Sequence, residues 1–297
     1  MEIKTLTDQF CEHSSFIRGY SPCTIKRYRY SISIYVKFSG ISHVEEANEK
    51  NIREFFLYGR TVRHWSANSF ITFLKSLVVF FRWCQKEKYI EINPAEDMEL
   101  PKVEKKLPPR LTKQEAMRLL EIAYNYPYQN KFSKYRNQAV LSVFLFAGLR
   151  KKELLNLRYA DVDLLNRSIF VRMGKGSKDR VVPICDKLAE ILKRYLAERQ
   201  NLGKSCPGFF TALNKNLDLS EDGLKRLMLN ITRAMGKNFG VHKLRHTFAT
   251  LMLEGGSDIF SLSKMMGHSD IKTTTIYLAA SAEHLRSQIG KHPLNHI

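Results

Sequence analysis

The sequence has few cysteines, and none of them is placed to bind a metal ion or to form a redox pair. The five that occur are widely separated, and no Cys-x-x-Cys pair is present; they are Cys11, Cys23, Cys84, Cys185 and Cys206. An odd number of scattered cysteines argues against a disulfide framework and against the usual structural zinc sites. We therefore expect all five to be reduced residues that serve in packing.

Long apolar runs are also lacking. The run at residues 76–81 is bounded by Lys75 and Arg82, whereas a membrane-spanning helix needs roughly 20 apolar residues. With only 15 glycines and 9 prolines, the chain is neither collagen-like nor wholly disordered. Residues 1–5 lack the basic start and apolar block of a secretory signal. We therefore expect a folded cytoplasmic protein without a membrane span.

Acidic residues are scarce relative to basic ones. The chain has 48 Lys and Arg against 29 Asp and Glu, a formal net charge of +19. Residues 1–98 contain 14 basic and 11 acidic residues, whereas residues 99–297 contain 34 and 18. A positive net charge of this size indicates a polyanionic partner, and nucleic acid is the leading class of such partners. A basic surface that merely solvates the protein is the alternative that composition leaves open.

The length, 297 residues, is about twice that of a typical domain. Residues 99–110 contain three prolines and four basic residues, a composition that favours neither helix nor packed strand. We therefore predict a helical domain at residues 1–98, a linker at 99–110 and a second domain at 111–297.

Apolar residues recur at helical spacing in four segments of the first domain. Ser21 followed by Pro22 is typical of a helix start, and Gly40 is typical of a helix end. The predicted helices cover residues 6–16, 22–39, 52–58 and 66–86. The first domain is thus predicted to be a four-helix unit.

The second domain has both helical and strand patterns. Thr112 and Glu115 match a capping box, in which hydroxyl and carboxylate each accept a backbone N–H. The predicted elements are a helix at 139–147 closed by Gly148, a short helix at 151–157, strands at 168–173 and 180–184 around a polar tip at 174–179, and helices from residue 186 onward. The predicted fold is mainly α with a small β-hairpin or sheet.

Four segments of the second domain carry polar residues where an ordinary core would exclude them. They are Phe146-Ala-Gly-Leu-Arg-Lys-Lys-Glu-Leu154, the hairpin tip Gly174-Lys-Gly-Ser-Lys-Asp179, Val241-His-Lys-Leu-Arg-His-Thr-Phe-Ala-Thr250 and Met266-Gly-His-Ser-Asp-Ile-Lys-Thr-Thr-Thr-Ile-Tyr277. Each segment alone is weak evidence for a functional site, because a lysine in a glycine turn is usually solvated and a lone tyrosine is usually a packing residue. Their order, Arg, Lys, His-x-x-Arg, His and Tyr within residues 150–277, is a demanding pattern.

This ordered set resembles the tyrosine recombinase, or phage-integrase-like, family, most closely its Xer-type and transposon-borne members. The family's layout is a helical, SAM-like core-binding domain followed by an α+β catalytic domain. The resemblance implies that Tyr277 is the nucleophile and that Arg150 and Arg245 clamp the scissile phosphate. It also implies that Lys175 in the hairpin tip is the general acid, with Lys178 on the same turn as a rival.

Three further residues receive roles from the same resemblance. It implies that His242 handles the nucleophile's proton or the phosphate, that His268 hydrogen-bonds the phosphate and that Glu153 orients the site. The implied function is site-specific recombination through a 3′-phosphotyrosine intermediate and a Holliday junction. Four protomers would act on two double-stranded DNA sites. They would be four copies of this chain, or copies of this chain together with a second recombinase. A type IB topoisomerase and a noncatalytic DNA-binding relative are the alternatives.

The residue types fit this chemistry without a cofactor. Attack on a phosphodiester builds negative charge on the nonbridging oxygens, which two arginines with planar donors stabilise. No acidic cluster suited to Mg²⁺ accompanies the four segments. A tyrosine, with an ordinary pKa of about 10, needs a nearby base or cationic field, and the leaving sugar oxygen needs a proton donor such as lysine. Because a phosphotyrosine conserves the bond energy, we expect rejoining to need neither metal nor ATP.

The tail of the sequence predicts one more element. Residues 281–290 have Ala282, Leu285 and Ile289 at the spacing of one helix face. A helix this short is marginal alone, so its apolar face must pack against something. Packing on its own domain and packing on a neighbouring protomer are both compatible with the sequence.

We expect Lys175→Ala to cleave ordinary DNA poorly and to recover most of its rate when the bridging 5′ oxygen is replaced by sulfur. The reason is that a thiolate leaves without being protonated, so a general acid is no longer needed. Single-turnover cleavage of matched oxygen and sulfur substrates measures this recovery. Lys178→Ala is the control, and recovery of that variant instead would assign the general acid to Lys178.

Overall fold

The computed structural model describes residues 1–104, 107–172, 179–268 and 270–278. The chain forms two compact units, Met1–Lys105 and Lys106–Ile297, and their boundary falls within the segment 99–110 that the sequence marks as a linker. Within the described ranges, no helix is both long and apolar enough to cross a membrane. Lys175, Lys178 and the predicted tail helix at 281–290 lie outside the described residues.

The first unit contains four α-helices, as its apolar spacing predicts. They are α1 (Ile3–Glu12), α2 (Pro22–Ser39), α3 (Glu49–Thr61) and α4 (Ala67–Lys86). The Ser21 hydroxyl accepts the Thr24 N–H at the start of α2, and Gly40 ends that helix in the left-handed conformation, which confirms both signals. The predicted helix at 6–16 is more complex, because a π-helical segment, His13–Ile17, follows α1.

An aromatic core holds these four helices together. Tyr35, Phe55 and Phe81 are completely buried, and the Tyr35 ring contacts the other two in edge-to-face geometry. The Tyr35 hydroxyl donates a 2.6 Å hydrogen bond to Oδ1 of Asn51 on α3. The one polar atom of this large buried side chain is thereby satisfied, as burial requires.

The second unit is α+β. Its described elements are α5 (Lys113–Asn125), α6 (Lys131–Phe146), α7 (Lys151–Leu155), β1 (Val162–Asp163), β2 (Ser168–Val171), β3 (Arg180–Pro183), α8 (Asp186–Asn201), α9 (Glu221–Met235), α10 (Val241–Glu254), α11 (Ile259–Met266) and α12 (Lys272–Thr275). The three strands form one antiparallel sheet in the order β1-β2-β3, with Ile169 paired to Val162 on one side and to Val182 on the other.

Two features of this unit differ from the sequence prediction. The sheet has a third strand, β1, which is only two residues long and too short to produce an alternating pattern. Helix α6 begins at Lys131 rather than at 139, after Asn130 caps the helix by accepting the Ser133 N–H at 2.8 Å. The early start was missed because buried polar residues interrupt the apolar pattern in the first half of α6.

Helix α6 is the central helix of the second unit, and the chain that leaves it leads to Arg150. It packs against α5, α8 and α10, and its apolar residues lie in the main core. After α6 ends, Gly148 adopts a positive φ of 60°, and a Cβ there would lie 2.2 Å from the Phe248 ring of α10. Only glycine fits this close approach, which delivers Arg150 to the start of α7.

We expect Gly148→Ala to lower the free energy of unfolding by about 2–4 kcal/mol, from left-handed strain together with overpacking against Phe248. Gly203→Ala is the matched control, because Gly203 has the same φ of 60° and open space where its Cβ would lie. Urea unfolding of the two variants measures the difference. Equal losses would show that the contact with Phe248 does not constrain the turn.

Candidate active site

Arg150 and Glu153 form the pair that their spacing predicts. Arg150 is the residue before α7, and Oε2 of Glu153 accepts its backbone N–H at 2.7 Å. Oε1 of Glu153 accepts a second hydrogen bond, also 2.7 Å, from the Arg150 guanidinium. The first turn of α7 thus fixes both the backbone and the side chain of Arg150.

Glu153 also binds a second arginine, Arg180, which the sequence analysis did not select as a site residue. Both terminal nitrogens of Arg180 donate to the Glu153 carboxylate, at 2.9 and 2.8 Å, and both side chains are nearly buried. Burial alone would raise the pKa of Glu153, but the hydrogen bonds and charge of Arg180, with the bonds from Arg150, lower it to about 2. Arg180 directly follows the predicted hairpin tip at 174–179, and this position was the sequence signal for it.

Arg245 lies in α10 and is 6% exposed. Its guanidinium donates to the carbonyls of Gly148 and Met266, and it lies 3.1 Å from Nε2 of His268. The pKa of Arg245 is lowered to about 10, chiefly by burial and also by the nearby charge of Arg150, whereas Glu153 opposes this effect.

The end of α11 brings the three arginines together. The carbonyls of Met265, Met266 and Gly267 accept hydrogen bonds from Arg180, Arg245 and Arg150, at 2.8, 2.6 and 2.7 Å. The last carbonyls of a helix have no partner within the helix and carry the negative end of its dipole. Three consecutive carbonyls therefore each bind a different guanidinium.

His268 follows this turn and connects it to α12. Its Nδ1 lies 2.8 Å from the Thr274 hydroxyl, and its Nε2 faces Arg245. His242 is in the first turn of α10, where its side chain is exposed. The structure thus gathers Arg150, Glu153, Arg245 and His268 around the end of α11.

Tyr277 follows α12 and is 2% exposed. It packs with Phe248, Leu253 and Leu262 in a small apolar cluster formed by α10 and α11. Burial raises the pKa of Tyr277, while the positive charges of Arg245 and Arg150 act to lower it.

The hydroxyl of Tyr277 has a partner that the sequence analysis missed. It lies 2.8 Å from Nδ1 of His246, one helical turn after His242 in α10. The only sequence signal was the position of His246, which directly follows Arg245. Within the described residues, no group of three or more His, Cys, Asp or Glu side chains could hold a metal ion.

The site is a cluster of arginines whose positive charges act on a tyrosine hydroxyl. This arrangement is expected of an enzyme that breaks and re-forms phosphodiester bonds through a tyrosine. The chain belongs to the phage integrase family: the Phage integrase family matches residues 109–284, and the Phage integrase N-terminal SAM-like domain matches residues 6–91.

Full-length relatives agree with this assignment. The chain is 33% identical to tyrosine recombinase XerC of Oceanobacillus iheyensis, covering 98% of this chain and 97% of the relative. It is 30% identical to tyrosine recombinase XerD of Staphylococcus haemolyticus, covering 98% and 99%. The crystal structure of XerH site-specific recombinase bound to palindromic difH substrate has the same fold, with a TM-score of 0.74, 22% identity, and coverage of 96% of this chain and 84% of that one.

These matches confirm the resemblance seen in the sequence. The chain is a tyrosine site-specific recombinase, an enzyme that breaks and rejoins DNA. The fold class is confirmed as well, with a mainly helical chain, a small three-stranded sheet and a SAM-like first domain.

We expect Glu153→Gln to lower the free energy of unfolding at pH 7 by about 3 kcal/mol, because the variant loses the carboxylate that both arginines bind. The pKa of Glu153 is depressed from 4.5 to about 2. Its stabilising effect is therefore present above pH 4.5 and is lost as the pH falls toward 2. The stability difference between the two proteins should narrow over that interval.

Chemical unfolding at a series of pH values measures this effect. Glu121→Gln, at an exposed position of α5, is the control and should show no such narrowing. A constant difference between the parent and Glu153→Gln from pH 7 to pH 3 would contradict the assignment of the low pKa.

Proposed function

We propose that Tyr277 is the nucleophile of this recombinase and that it forms a covalent 3′-phosphotyrosine bond with one DNA strand. The observation that carries this proposal is the position of Tyr277 against α10, the helix that carries Arg245, where the charges of Arg245 and Arg150 act to lower the tyrosine pKa that burial raises. These are the residues to which the resemblance assigns the nucleophile and the phosphate clamp.

Arg150 and Arg245 would stabilise the charge that develops on the nonbridging phosphate oxygens. Backbone carbonyls hold both guanidinium groups and Glu153 also holds that of Arg150, so their donors need no reorganisation as the reaction proceeds. Preorganised donors of this kind are worth about 100-fold to 1000-fold each in rate. With Arg180, the described part of the centre has three arginines and one carboxylate, an excess of positive charge that suits a phosphate.

The proposed reaction is a pair of transesterifications. The Tyr277 oxygen bonds to phosphorus as its proton departs, and the bond to the 5′ oxygen breaks. Lys175 supplies the proton that this leaving oxygen takes up. The exposed His242 accepts the phenolic proton, or contacts the phosphate while water accepts that proton, and His268 hydrogen-bonds a nonbridging oxygen. A 5′ hydroxyl from the partner strand then attacks phosphorus and releases Tyr277.

Recombination needs two double-stranded sites, so we propose that four protomers act together through a Holliday junction. These protomers are either four copies of this chain or two copies with two of a second recombinase. The net charge of +19 supports extensive phosphate contact, and hence binding that weakens steeply with salt. A type IB topoisomerase would instead relax a plasmid without joining two DNA molecules, so an intermolecular product distinguishes the two activities.

We expect Tyr277→Phe to bind DNA with nearly unchanged affinity and to form no covalent adduct, because the variant removes the attacking oxygen and keeps the ring. A nicked suicide substrate, analysed on a denaturing gel, measures adduct formation, and a gel shift measures binding. Tyr159→Phe, at an exposed position of the same unit, is the matched control and should form the adduct normally. A covalent band from Tyr277→Phe would place the nucleophile elsewhere.

A further inference from the structure

The Tyr277 side chain is enclosed in an apolar pocket. It is 2% exposed and packs with Phe248, Leu253, Leu262 and Met266. A phosphodiester in the Arg150 and Arg245 clamp lies outside this cluster, because an apolar pocket offers no donors to a charged group. Tyr277 must therefore leave its pocket, at least in part, before its oxygen contacts phosphorus.

His246 makes a polar contact with Tyr277 in this pocket. Nδ1 of His246 lies 2.8 Å from the Tyr277 hydroxyl, and the two rings lie 5.6 Å apart between centroids. His246 is itself partly buried in α10, and its backbone carbonyl accepts the Thr250 hydroxyl. The tyrosine is thus tied to the middle of a helix that the main core holds in place.

The protonation states of the two side chains favour a hydrogen bond over proton transfer. Burial lowers the pKa of His246, and the neighbouring His242 and Arg245 lower it further, so the imidazole is neutral at pH 7. Burial raises the pKa of Tyr277, so the phenol keeps its proton. The contact at Nδ1 is therefore a hydrogen bond between a neutral imidazole and a protonated phenol, which leaves the nucleophile in its unreactive form.

We propose that His246 is a positioning residue that holds Tyr277 in an unreactive position, and that cleavage requires this hydrogen bond to break. The proposal rests on the assignment of Tyr277 as the nucleophile. It differs from a role as general base, in which His246 would stay bound to the phenol and take its proton during attack.

The contacts of α12 connect the release of Tyr277 to the arrival of a phosphate. Thr274, three residues before Tyr277, hydrogen-bonds Nδ1 of His268, and Nε2 of His268 faces Arg245. A phosphate that binds Arg245 and His268 replaces Arg245 as the partner of Nε2 of His268. The same imidazole contacts α12 through Thr274. Phosphate binding at Arg245 and movement of Tyr277 are thus linked through His268 and Thr274.

Two substitutions of His246 test the proposal. His246→Phe keeps a ring but removes the nitrogen that hydrogen-bonds the phenol, whereas His246→Asn places a hydrogen-bonding amide near the position of Nδ1 but cannot take up a proton. With a nicked suicide substrate under single-turnover conditions, we expect His246→Phe to cleave about fivefold to tenfold faster than the parent, the effect of losing one ordinary hydrogen bond. His246→Asn should lie between the two and closer to the parent.

A general base gives the opposite pattern. Both variants would then cleave about 100-fold or more slowly, because neither accepts a proton. That result, or equal rates in all three proteins, would overturn the proposal.

Hydrogen exchange gives a second measurement that does not depend on catalysis. Amides of residues 270–278 should exchange faster in His246→Phe than in the parent, and Tyr277→Phe, which removes the same bond from the other side, should show the same increase. Unchanged exchange in both variants would overturn the holding role even if a variant were too unstable for kinetics. A covalent adduct from Tyr277→Phe would instead refute the proposed nucleophile, so the two failures are distinguishable.

Discussion

The C-terminal end of α11 is the constraint on which the site depends. Gly267 ends the helix in the left-handed conformation, and the turn that follows binds the carbonyls of residues 263 and 264 through backbone N–H groups. The carbonyls of residues 265, 266 and 267 then remain as acceptors, and each binds one arginine. One short helix thereby sets the relative positions of three cations that arrive from α7, β3 and α10.

Three buried or partly buried arginines in one place repel one another, and the structure shows how this repulsion is offset. Glu153 binds two of them and stays ionised, with a pKa of about 2. Arg245 has no direct ion pair with Glu153 and shows the cost of burial as a pKa lowered to about 10. A bound phosphate would neutralise the positive charge that Glu153 leaves uncompensated. The excess charge therefore lowers the stability of the folded protein but would favour phosphate binding.

Tyr277 is held by contacts of a different kind from those that hold the arginines. The arginines are fixed by carbonyls and a carboxylate within packed elements, whereas Tyr277 follows a helix of four residues and is retained by an apolar pocket and one hydrogen bond. Under the proposed roles, a rigidly held phosphate clamp is therefore combined with a nucleophile that fewer polar contacts hold in place. This division fits an enzyme that must cut one strand only when its DNA is in place.

The sequence by itself determined the features that depend on local spacing. The Ser21 and Thr112 caps, the Arg150–Glu153 pair one turn apart and the ordered motif all follow from residues that are close in the chain or from a recognisable order. Tertiary structure alone decided that Arg180 shares Glu153, 27 residues away, and that His246 rather than His242 meets Tyr277, 31 residues away. The physical reason is that such contacts depend on how α7, β3, α10 and α11 pack, and no periodicity within one element encodes which side chains will meet.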